Sequence, residues 1–150
     1  MSPSLSRLLI HLVFSTKNRE PYLAPDLQSE LFLHLGRDLE QIGCRPVRIA
    51  GTNDHVHLLF ELSRTRTIAF VVETLKTSSA KWIKSQGEGY RDFYWQSGYG
   101  AFSVSQSEAA RVDAYLRNQA QHHARMTYQA EFRALLERHG VEYDEKSVWD

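Results

Sequence analysis

The sequence is short of the residues that staple or punctuate a chain. Of its 150 residues, one is cysteine, 4 are proline and 8 are glycine. The single thiol, Cys44, excludes an internal disulfide and any multi-cysteine zinc site, and it reads as a small core hydrophobe. No repeat, low-complexity stretch or Pro/Gly-rich linker is visible. No apolar run is long enough to span a bilayer. The stretch leading to Arg7 lacks a basic segment followed by an apolar core and a cleavage site, so a cytoplasmic protein with no membrane partner is expected. Neither charge sign is in excess, since 18 Lys and Arg balance 18 Asp and Glu. That argues against a broad basic face for duplex DNA, and any nucleic-acid contact must come from a local patch. A Gly-x-x-x-x-Gly-Lys-Ser/Thr phosphate loop is also missing, so nothing points to ATP.

What is present is an ordinary globular balance, 42% hydrophobic and 24% charged, in a length that suits one domain over residues 1–150. From Leu5 to Thr16 the pattern is strand-like. Leu8, Ile10, Leu12 and Phe14 alternate onto one face, with Arg7, His11 and Ser15 opposite. Lys17 to Pro21 is a polar turn. Leu27, Leu31, Leu35, Leu39 and Ile42 recur at helical spacing after Pro25, and Gly43 suits the helix end. A hairpin follows, from Pro46–Ala50 through the turn Gly51–Asp54 into His55–Leu62. The spacing predicts a second helix over Thr67–Ser85 and a strand over Ala101–Val104. It also predicts a continuous third helix over Glu108–His123 and a fourth over Tyr128–His139. The order β-α-β-β-α-β, then helices, predicts an α+β, ferredoxin-like antiparallel sheet with two helices on one face, an open face opposite where an added helix could dock, and an additional C-terminal helix carrying Tyr115. That fold hosts many activities and assigns none.

Three clusters carry possible chemistry. His55 and His57, two apart on a strand, point the same way, while Val56, Leu58, Phe60 and Leu62 face the core. Two imidazoles side by side form half of a metal site, or equally a pair of exposed or hydrogen-bonded histidines. His11 belongs to the same face from the first strand, as a further polar group or as a structural histidine. Tyr115 and Gln119 lie one helical turn apart. A phenol with a pKa of about 10 is a weak nucleophile unless a nearby cation helps it. The alternative is a packed tyrosine beside a solvated glutamine. His122 lies near that face, and His122 and His123 also suit a helix end. The run Phe93–Gly100 offers aromatics that could stack on unpaired bases or simply pack. Lys76, Lys81, Lys84, Arg91, Arg45 and Arg48 suit either a phosphate groove or a solvated surface.

Taken together, Ser15-Thr16-Lys17-Asn18-Arg19, Asn53-Asp54-His55-Val56-His57-Leu58-Leu59-Phe60, Trp95-Gln96-Ser97-Gly98-Tyr99 and Tyr115-Leu116-Arg117-Asn118-Gln119 make a specific set. In this order and at these separations, they resemble the single-tyrosine HUH transposases of the smallest bacterial insertion sequences, and their domesticated relatives that act on repeated extragenic palindromes. One departure is Asn18, where an aromatic often precedes the arginine. The resemblance implies that His55 and His57 bind Mg²⁺ or Mn²⁺, with Gln119 as third ligand. It implies that Tyr115 is the catalytic nucleophile, cutting single-stranded DNA near a hairpin and leaving a 5′-phosphotyrosine link that a 3′-hydroxyl later reseals. It further implies a homodimer in which the tyrosine helix of one chain completes the metal site of the other. The sheet edge near Ala101–Val104 is the expected pairing surface. The competing reading is a non-catalytic ferredoxin-like module that binds single-stranded nucleic acid.

Overall fold

Alternation in the first strand sets the two faces on which everything else is built. The computed structural model describes residues 2–123 and 125–150. The elements run β1 (Leu9–Ser15), α1 (Pro25–Gln41), β2 (Arg45–Gly51), β3 (His55–Glu61), α2 (Ile68–Lys84), β4 (Gly100–Val104), α3 (Ala109–Arg117), α4 (Gln119–His123) and α5 (Tyr128–Arg138). The sheet has four strands in the order β2-β3-β1-β4, every neighbour antiparallel. This is the expected ferredoxin-like architecture.

One face of the sheet packs on α1 and α2. Leu12 and Phe14 of β1 meet Val56, Leu58 and Phe60 of β3 and the stripe Leu27, Leu31, Leu35 and Leu39 of α1. Cys44 is buried in the same cluster. Pro25 opens α1, where a missing N–H costs nothing. Thr67 caps α2 by accepting from the Phe70 amide at 3.1 Å. The first strand is shorter than its sequence pattern, and Leu8 lies outside it, 46% exposed.

The opposite face is covered by the C-terminal helices. Val13 and Phe102 pack against Tyr128, Phe132, Leu135 and Leu136 of α5. Thr127 caps α5 through the Ala130 amide at 3.1 Å. α3 lies over β2, where Arg48 Nε reaches Asp113 Oδ1 at 2.6 Å. The β2–β3 register slips between Pro46 and Arg48. Pro46 has no amide to give the ladder and sits on an edge strand, where such a slip is tolerated.

The predicted continuous third helix is broken. α3 ends at Arg117, Asn118 adopts φ −104° and ψ 23°, and α4 starts at Gln119. The Asn118 side chain donates to the Ala114 carbonyl at 3.1 Å. Asparagine competes for backbone groups in this way, which makes it a poor helix interior residue.

Candidate metal and nucleophile site

The site is assembled where three loops meet the end of the central strands. Thr16 N donates to Asp54 O at 2.8 Å, Lys17 N to Tyr94 O at 2.9 Å, and Gln96 N to Ser15 O at 2.9 Å. The Asn18 amide donates to Gln96 Oε1 at 2.9 Å. Asn18 and Arg19 hold positive φ of 55° and 57°. Left-handed backbone at consecutive non-glycine residues is costly and clusters at functional sites. Lys76 Nζ ties the loop from α2 by donating to Gln96 O at 2.7 Å and Gly98 O at 2.6 Å. Burial lowers its pKa to about 8. The local basic groups are therefore partly structural: Lys76 braces a loop and Arg48 braces α3. Trp95 is structural too, since its indole donates to Ser79 Oγ at 2.9 Å and its ring packs edge-on against Phe14 and Phe93.

His55 and His57 lie on one side of β3, as strand periodicity requires, and both are completely buried beneath the C-terminal helices. Behind them, His55 Nδ1 meets Asp54 Oδ1 at 2.7 Å, and His57 Nδ1 meets His11 Nε2 at 2.7 Å. In front of them stands Glu131 of α5. Its Oε1 lies 2.8 Å from His57 Nε2, 3.0 Å from His123 Nε2 and 3.3 Å from His55 Nε2. Its Oε2 accepts from the Tyr115 hydroxyl and, at 3.3 Å, from Gln119 Nε2. Tyr115 and Gln119 thus converge despite the helix break. The Tyr115 ring stacks on His122, with centroids 4.4 Å apart, and lies 6.4 Å from the His57 ring of its own chain.

Burial works to raise the Glu131 carboxyl. Hydrogen bonds from His123, His55 and His57 more than cancel that, leaving it far below the carboxylate range. Burial and the Glu131 carboxylate push the Tyr115 phenol well above its ordinary value. Burial lowers His57.

His55, His57, His123 and Glu131 bring four potential ligand atoms within 4.8 Å of one another. Two further observations fit a cation. His55 Nε2 and Gln119 Oε1 are buried without a hydrogen-bond partner, and both belong to this cluster. His55 Nε2 lies close to Glu131, but not in hydrogen-bond geometry. Buried lone pairs are normally satisfied, so unpaired donor atoms beside a carboxylate suit a divalent ion. Sequence reasoning missed His123 and Glu131. A signal for Glu131 existed, because it interrupts the apolar stripe Tyr128, Phe132, Leu135 of an amphipathic helix, and carboxylates are almost never buried unpaired. A cleft of about 500 Å³ between β4, α3 and α5 opens onto the cluster, lined by His11, Tyr115, Glu131, Arg111 and Arg138 among others.

Residues 4–119 match the family model described as Transposase IS200 like. The chain belongs to that family and is a transposase. Among solved structures it is similar to a Deinococcus radiodurans R1 protein assigned as a transposase. The TM-score is 0.63 and the identity 26%, over 79% of this chain and 95% of that one. It also shares its fold with a REP-associated tyrosine transposase bound to a REP hairpin. There the TM-score is 0.57 and the identity 11%, over 79% of this chain and 72% of that one. No curated protein matches. Among the described residues, no helix is long and apolar enough to cross a membrane. Helix α5, which carries Glu131, lies beyond the residues that the family model matches.

Proposed function

We propose that this transposase is a single-tyrosine HUH enzyme that cleaves single-stranded DNA beside a hairpin and transfers the strand through a 5′-phosphotyrosine intermediate. Residues 1–150 act as one catalytic domain. The observation that carries the reading is the meeting of Tyr115, His55, His57 and Gln119 around one buried carboxylate in a chain of this family. The REP-hairpin-bound neighbour supports a folded single strand as substrate.

His55 and His57, through their Nε2 atoms, and Gln119, through Oε1, would hold Mg²⁺ or Mn²⁺, with Glu131 and His123 within reach of the same point. The ion would supply Lewis-acid stabilisation of charge on the phosphate oxygens. Tyr115 Oη, oriented by its hydrogen bond to Glu131 Oε2, attacks phosphorus, and its proton passes to water in the cleft. The bond from phosphorus to the 3′ oxygen breaks, and that oxygen takes a proton from water to leave as a hydroxyl. The phosphodiester is conserved in the tyrosine link, so no nucleotide cofactor is required. Arg111 and Arg138 flank the cleft by which a strand reaches Tyr115. The reading includes a homodimer paired along the edge strand β4, although the tyrosine already reaches its own chain's cluster.

The test uses single strands from the hairpin-forming DNA beside the gene, labelled at the 3′ end, incubated with Mn²⁺ and run on a denaturing gel. The wild type should carry the label covalently, and Tyr115→Phe should bind the strand without retaining it. A labelled adduct with Tyr115→Phe removes Tyr115 as nucleophile. Binding with no adduct from the wild type favours a module that only binds single strands.

A further inference from the structure

We propose that His11 is a positioning residue for His57, able to hold its Nδ1 in either direction of a hydrogen bond. The inference rests on the reading of His57 as a metal ligand.

His11 sits on β1, paired in register with Leu59 of β3 and Phe102 of β4. It therefore lies diagonally across from His57, within reach on the same face. It is 3% exposed, and its ring lies 5.0 Å from the His57 ring at 30°. Its neighbours include Phe102, edge-on at 6.2 Å. An apolar side chain would fill this place without the cost of burying a polar ring. The one side-chain hydrogen bond His11 makes among the described residues is to His57 Nδ1.

The two ligand histidines are held from behind by different chemistry. Asp54 can only accept, so it keeps a proton on His55 Nδ1; in neutral His55 the lone pair then sits at Nε2, the buried atom without a hydrogen-bond partner. His57 has two demands to meet. Against Glu131, neutral His57 donates from Nε2, so its Nδ1 must accept a hydrogen bond from His11 Nε2. To offer Nε2 to a cation, His57 must carry its proton on Nδ1, and His11 Nε2 must accept. An imidazole serves in both states; a carboxylate serves in one and an aliphatic side chain in neither. The exchange balances. His57 releases its Nε2 proton to water in the cleft and receives one at Nδ1 from His11 Nε2. His11 takes a replacement at its own Nδ1 from water in the cleft that it lines. Partners behind a metal-bound histidine fix its tautomer, and their loss typically costs about 10–100-fold in metal affinity.

The experiment compares wild type, His11→Leu and His11→Gln by Mn²⁺ titration calorimetry, and by ¹⁵N spectra of the histidine rings with and without Mg²⁺. In the wild type, a nitrogen–nitrogen coupling should join His11 Nε2 to His57 Nδ1, and Mg²⁺ should move the His57 proton from Nε2 to Nδ1. His11→Leu should bind Mn²⁺ about 10–100-fold more weakly. His11→Gln, whose amide can donate or accept, should recover most of that loss. Equal weakening in both variants, or none in His11→Leu, overturns the proposal. So does a wild type without the coupling, which needs no variant to fold. If the wild type binds neither ion at His55 and His57, the metal reading fails instead, and the metal-free coupling still decides whether His11 holds His57.

Discussion

Under α1 and α2 the sheet presents Leu12, Phe14, Val56, Leu58 and Phe60, each at 0–1% exposure; on its other side His55 and His57 are at 0% and His11 at 3%. Burial is the same and the chemistry is opposite. On the first face, every contact returns free energy from apolar area removed from water. On the second, imidazoles and a carboxylate lose their hydration and recover it only through one another. A buried polar cluster of this kind is poor value as a stabilising device. Its persistence under a purpose-built cover of α3, α4 and α5 is accounted for by chemistry. The first face should thus yield stability when cut, and the second should yield function.

The largest effect on stability is expected from Leu58→Ala. It should cost about 2–5 kcal/mol in chemical denaturation, by lost transfer energy and a residual cavity. Mn²⁺ affinity of the folded protein should not change. Gly100→Ala should couple the two faces. A Cβ there would come within 2.9 Å of Phe132 Cε2 and 3.1 Å of the Phe102 ring, so the Phe132 ring, or α5 with it, must shift. Overpacking of this kind typically costs about 1–3 kcal/mol. Because α5 carries Glu131, calorimetry should show weaker Mn²⁺ binding as well, which Leu58→Ala does not produce. An unchanged affinity would mean that the Phe132 ring yields without moving Glu131. Glu131→Gln keeps the shape and removes the charge. Mn²⁺ affinity should fall about tenfold or more, equivalent to about 1.4 kcal/mol. Unfolding free energy should move less than in Leu58→Ala. A stability loss as large as that of Leu58→Ala would erase the distinction between the faces.

How far each face was legible in the sequence follows the same division. The apolar face was read almost residue by residue, because period 2 in β1 and β3 and period 3.6 in α1 are local signals. The placement of His55 and His57 on one side of β3 came from the same rule. Its open side was legible only as a place where an added helix could dock, not as one covered by α3, α4 and α5. The pattern leaves that face bare, and the cover comes from helices whose return over the sheet is a tertiary event. The break at Asn118 was hidden because asparagine in a helix is only mildly unfavourable. Glu131 and His123 have no fixed spacing to the histidine pair. His123 reaches it from the end of α4 and Glu131 only from α5, so a reading by motifs reached Gln119 and stopped there.

The smallest effect concerns how the cover is fastened. Arg48 Nε meets Asp113 Oδ1 at 2.6 Å, and Arg117 lies 3.6 Å from the other Asp113 oxygen. Asp113 is two residues before Tyr115, so the pair pins the tyrosine helix to the edge strand β2. Both side chains are partly exposed, 38% for Arg48 and 23% for Asp113, so the pair should contribute about 0.5–1 kcal/mol. The hydrogen bond from Arg48 holds the Asp113 carboxyl below its ordinary value of 3.8. A carboxyl depressed in the folded state binds fewer protons there than when unfolded. Its contribution is therefore complete above pH 3.8 and is lost as pH falls through the lower, folded value. Asp113→Asn has no carboxyl to titrate. The stability difference between wild type and Asp113→Asn should be full at neutral pH and shrink in acid below 3.8. Hydrogen exchange should show α3 amides opening more readily in the variant at neutral pH, with those of α1 unchanged. A difference that is constant with pH would mean Asp113 acts by packing alone. Equal loosening of α1 would mean the cover and the apolar face unfold as one unit.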